Sequence, residues 1–137
     1  MRLVLGITLL CAANRGWGKI SPEQVQNLFV QANEAFSEAN AETDSTQSER
    51  LYDKAILSFE RIINEGQITN AKLFYNLANA YLLRKDLGRA ILNYRRALQL
   101  DGADANIKKN LAFARSRRQD KIELQAEQKV LQTLFFW

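Results

Sequence analysis

Two pairs of carboxylates lie near each other along this 137-residue chain, Glu60 with Glu65 and Asp101 with Asp104. Paired carboxylates can divide acid and base roles between them. In a helical layout, however, these four fall on solvated faces and caps, a far commoner setting than a catalytic pair. The rest of the catalytic inventory is thin. The sequence has no histidine, the usual general base near neutral pH. Its single cysteine, Cys11, cannot build a thiolate metal cluster. Gly66, Gly88 and Gly102 stand singly at expected helix ends and form no phosphate-cradling loop. We therefore read the chain as non-enzymatic, with no catalytic residue, metal site or cofactor. Recognition is the chemistry that remains.

Charge is divided along the chain. Residues 19–70 carry nine acidic side chains (Glu23, Glu34, Glu38, Glu42, Asp44, Glu49, Asp53, Glu60, Glu65) against Lys19, Arg50, Lys54 and Arg61. Residues 71–121 reverse this, with twelve lysines and arginines against Asp86, Asp101, Asp104 and Asp120. A basic surface could meet an acidic peptide, anionic lipid or nucleic acid. Cations that merely clothe outer helix faces and C-termini are the plainer explanation. Arg115, Arg117 and Arg118 fit that plainer account least well.

The elements that would position such groups are helices. No alternating β-type runs and no Asn-Gly turns occur, and 47% of residues are hydrophobic with a single proline. In residues 71–104, Phe74, Leu77, Ala78 and Tyr81 share one helical face. After a break at residues 84–88, Ala90, Tyr94 and Ala97 share another. Small alanines let two helices approach, and the large rings fill the space beside them. Ala55-x3-Phe59-x2-Ile62 repeats Ala90-x3-Tyr94-x2-Ala97 at an offset of 35 residues. The partner helix of that earlier unit holds Leu28, Ala32, Ala35 and Phe36, and the polar run 40–48 reads as an expanded, solvated turn. Leu111-Ala112 follows Leu77-Ala78 by 34 residues, with Arg115 in the place of Tyr81. A polar helix there suits the end of a stack.

This spacing resembles the tetratricopeptide repeat, with Gly102 where the closing proline is usual. The resemblance implies an all-α fold: helix hairpins stacked as a short right-handed α-solenoid, finished by a C-terminal capping helix. Residues 19–118 would form the repeat domain, with 71–104 its clearest repeat. At the N-terminus, Arg2, the apolar run 3–13 and Gly16-Trp17-Gly18 read as a secretory signal peptide over residues 1–18. At the other end, residues 119–137 close on Leu134-Phe135-Phe136-Trp137. That apolar tail packs on the stack, lies against a membrane surface, or is the entry to a membrane-spanning segment.

Tyr75-Asn76-Leu77-Ala78-Asn79-Ala80-Tyr81, Leu87-Gly88-Arg89-Ala90-Ile91, Gly66, and Asn110-Leu111 followed by Arg115 are similar to the repeat domain of the Bat-type aerotolerance proteins of bacteria. That resemblance covers roughly residues 52–137. It departs at Ala78, where glycine is common, at Gly102 and in the run after Asn40. It implies export to the periplasm or the outer face of the cytoplasmic membrane. Tetratricopeptide grooves are lined by the first helix of each pair, which carries the partner-binding role to Lys72, Tyr75, Asn76 and Asn79, and then to Asn106, Lys109, Asn110 and Phe113. Asparagines can bond a peptide backbone, lysines can meet a carboxylate, and the rings supply contact area. Asn76 and Asn79 could equally bond within the turn or to solvent. The expected function is a protein–protein interaction scaffold in the bacterial envelope, with a protein partner and membrane association through the tail. The alternative is a nucleic-acid-binding helical repeat using the basic surface 84–121, which an export signal disfavours.

Overall fold

A computed structural model of the chain describes residues 19–118 and Gln125. Among the described residues there are five helices and no strand: α1 (Pro22–Ala41), α2 (Ser45–Asn64), α3 (Ala71–Leu83), α4 (Leu87–Leu100) and α5 (105–118). The signal-peptide reading falls on residues 1–18 and the tail reading on 119–137, outside the described residues apart from Gln125. No described helix is long and apolar enough to cross a membrane.

Each helix starts where a short polar side chain can take an orphan amide. Ser21 and Gln24 form a reciprocal capping box with Pro22 at the first helical position. Asp44, Asn70 and Asp86 accept the amides of Gln47, Leu73 and Arg89 at 2.7, 2.8 and 3.0 Å. Asp104 takes those of Asn106 and Ile107 at 2.7 and 3.2 Å and so caps α5. Glu65 is likewise held by Arg61, one turn earlier on α2.

The helices pair in sequence as antiparallel hairpins, α1 with α2 and α3 with α4, and α2 packs on α3 between them. Across the first seam, Phe29 meets Phe59 edge-on at 6.4 Å and Phe36 meets Tyr52 at 5.8 Å. Tyr75 meets Tyr94 at 6.0 Å across the second. The alternation of small and large residues carries the core. Ala32, Ala55, Ala78, Ala90, Ala97 and Tyr94 are all fully buried. α5 adds Ile107, Leu111 and Ala114 to the same core, while Ala112 is exposed.

One expectation is corrected. The polar run 40–48 is not an expanded turn, because only Glu42, Thr43 and Asp44 separate α1 from α2. The surplus residues instead lengthen both helices to 20 residues, against 13 and 14 for α3 and α4. Glu42 closes the tight turn by accepting the amides of Thr43 and Asp44, and Asp44 caps α2. The added turns are tied across the hairpin by Tyr52 to Asn40 at 2.8 Å and Ser48 to the Ala39 carbonyl at 2.9 Å. Polarity alone does not separate a loop from an exposed helix end when such caps are present.

Candidate functional site

The eight residues singled out in the sequence form two matching stripes. Lys72, Tyr75, Asn76 and Asn79 follow helical spacing along α3, and Asn106, Lys109, Asn110 and Phe113 repeat that spacing along α5. The structure brings the middle of the stripes together. Asn110 Nδ2 donates to the Tyr75 hydroxyl and to Asn79 Oδ1, both at 3.1 Å. Asn79 Oδ1 also accepts the Tyr94 hydroxyl at 2.6 Å. Three helices therefore meet on one asparagine oxygen. Burial drives the Tyr94 phenol well above its ordinary pKa, so it remains a neutral donor.

This arrangement changes the role of Asn79. Its oxygen is engaged within the fold, where it holds α4 and α5 to α3. Asn76 differs, being half-buried with a side chain in no hydrogen bond among the described residues. Lys72 and Lys109 are exposed and take part in no salt bridge among the described residues. Asn106 is exposed, and Phe113 is exposed with the Arg117 guanidinium 5.2 Å above its ring. Charge on this pair of helices has one sign. Over residues 71–83 and 105–118 the charged side chains are Lys72, Lys108, Lys109, Arg115, Arg117 and Arg118, with no carboxylate.

Sequence reasoning missed Phe29. Its pairing with Phe59 makes it the counterpart of Tyr75, which pairs with Tyr94. That register was hard to see because α1 and α2 are longer than α3 and α4. Phe29 is 40% exposed and opens on a cleft of about 550 Å3 between α1, the start of α3 and the end of α4.

A larger cleft of about 690 Å3 lies at the α2–α3–α4 junction, where Glu60 is found. Most of its charges are paired, Lys85 and Arg118 being in no ion pair among the described residues. The Tyr81 hydroxyl donates to Glu60 and accepts from Arg89 at 3.3 Å, and Arg89 also pairs with Asp86 at 2.8 Å. Arg84 spans Asp53 at 2.9 Å and Glu49 at 3.3 Å. Burial, then the bond to Glu60, raises the Tyr81 pKa. We read this junction as a tie between hairpins. Among the described residues, no group of three or more histidine, cysteine or acidic side chains is placed to hold a metal. No protein-family model matches the chain, and no curated protein matches it.

Proposed function

We propose that this chain is a non-enzymatic, tetratricopeptide-type scaffold that binds a protein segment along the face shared by α3 and α5. The helix hairpins would stack as a short right-handed solenoid, with α1, α3 and α5 lining its inner surface. One observation carries the reading: the Asn110 bonds to Tyr75 and Asn79 seat the two stripes side by side. Around that joint stand Asn76, Lys72, Lys109 and Phe113, which have exposed or uncommitted polar and aromatic surface. An envelope location is part of the same reading, through the resemblance to Bat-type proteins and the signal-like residues 1–18.

Nucleic-acid binding is less well supported. Arg84 and Arg89 are engaged by carboxylates, and Arg96 and Arg117 lie over the rings of Phe74 and Phe113. A quantitative pull-down from envelope extract separates the two readings. Asn76→Ala with Lys109→Glu is expected to lose partners while melting unchanged, and Arg115, Arg117 and Arg118→Ala to keep them. Retention of every partner by the groove variant would sink the scaffold reading. Steep salt dependence centred on the three arginines would favour nucleic acid.

A further inference from the structure

We infer that the cleft beside Phe29 is an anchor subsite, and that the partner is an acidic segment carrying one bulky apolar side chain that seats there. This rests on the scaffold reading and adds the chemistry of the occupant. The cleft walls are Val25, Phe29, Ile62, Ile68, Leu73 and Leu100. Phe29 and Leu100 remain 40% and 49% exposed and bring two large apolar side chains to one opening. The equivalent ring on the second hairpin, Tyr75, is instead met by Asn110 of the following helix. Between α1 and α3 no such side chain bridges the described residues, and the ring faces open space.

Charge names the rest of the occupant. At the rim, Asn70 is committed to the Leu73 amide, and Asp101, which accepts the Ala103 amide at 3.2 Å, keeps acidic residues of the occupant away from the α4 end. Lys72 lines the same opening and has no ion-pair partner among the described residues. It begins the stripe that continues through Lys109 on helices bearing six cations and no carboxylate. The glutamates of α1 (Glu23, Glu34 and Glu38) disfavour acidic residues along that helix, so the anchor itself is neutral and the acidic part of the occupant runs from Lys72 toward α5. An apolar anchor at Phe29 followed by acidic residues toward α5 satisfies both regions.

The test uses the full chain and three labelled synthetic octapeptides read by fluorescence anisotropy. One consists of glutamates and serines around a central tryptophan, the second replaces that tryptophan with alanine, and the third replaces the glutamates with lysines. The tryptophan peptide is expected to bind about tenfold tighter than either control. Lys72→Glu should weaken it about fivefold or more, in a salt-dependent manner. Phe29→Ala should erase the tryptophan advantage. Gln26→Trp, at an exposed position on the cleft wall, should do the same without touching the core. Equal affinity for the tryptophan and alanine peptides, with both weakened by Asn76→Ala/Lys109→Glu, overturns the anchor and leaves the scaffold reading standing. Preference for the lysine peptide, or no binding of any peptide, also overturns it. So does a peptide-free dimer in sedimentation that Gln26→Trp abolishes, because a second copy would then be the occupant.

Discussion

The two hairpins share a pattern of small and large residues but close their seams differently. Phe59 and Tyr94 occupy the same place, 1% and 0% exposed, each against a ring from its partner helix. Phe59 brings no polar atom into the core. Tyr94 brings a hydroxyl, which needs a partner once water is excluded. The position one turn beyond the facing ring is asparagine in both hairpins. Asn33 returns its amide to the Phe29 carbonyl of its own helix at 2.7 Å, whereas Asn79 turns outward to Tyr94 and Asn110. The Tyr94 hydroxyl thus recruits Asn79, whose oxygen in turn takes Asn110 and fixes α5, while the first seam is apolar around Phe59 and leaves Phe29 open. Polar ties specify which element docks where, and apolar contact alone leaves a surface for others.

The comparison can be broken at its strongest point by emptying both seams. Tyr94→Ala and Phe59→Ala should each cost about 3–5 kcal/mol in urea melts, since each removes a ring from a closed core. A loss below about 1 kcal/mol for either would mean the seams are not equivalent.

The two asparagines give a sharper contrast. Asn79→Ala should cost about 1–3 kcal/mol, because it strands the buried Tyr94 hydroxyl. Asn33→Ala should change stability by less than about 0.5 kcal/mol, its bond being local and partly solvated. Similar values for the pair would remove the distinction.

Alkaline pH should discriminate in the same direction. The Tyr94 phenol is raised by burial, so the folded state holds its proton when the unfolded chain, with an ordinary tyrosine near pH 10, releases it. Its contribution is complete below pH ~10 and is lost as pH rises above that, by up to about 1.4 kcal/mol per pH unit. Tyr94→Phe should show the shallower decline above pH ~10; parallel curves would contradict the assignment.

The smallest effect should come from the junction between the hairpins. Arg84 is a third exposed or more, as are Glu49 and Asp53. Arg84→Ala should therefore lower the melting temperature least of these variants, and less still in high salt, measured by thermal melts at two ionic strengths.

Much of this was legible in the sequence because it is local. Alanine and aromatic spacing at 74–81 and 90–97 specifies helices with one close-packed face, whereas the caps at Ser21, Asn70, Asp86 and Asp104 stand out only once the helices they start are in view. The turn after Asn40 is also local, but in the sequence Asp44 looks the same as loop polarity and as a cap. The candidate site was less legible. Its stripes could be placed from spacing, yet the roles within them could not. Asn76 and Asn79 are the same residue type on one helix, and only the second meets Tyr94, 15 residues later, and Asn110, 31 residues later. The exposure of Phe29 likewise depends on what α3 and α4 place opposite it. Periodicity reports which face of a helix is buried, because burial repeats with the helical turn. It carries no information about which polar atoms will find one another across that buried face. That is settled only when distant helices close and every excluded donor must be matched.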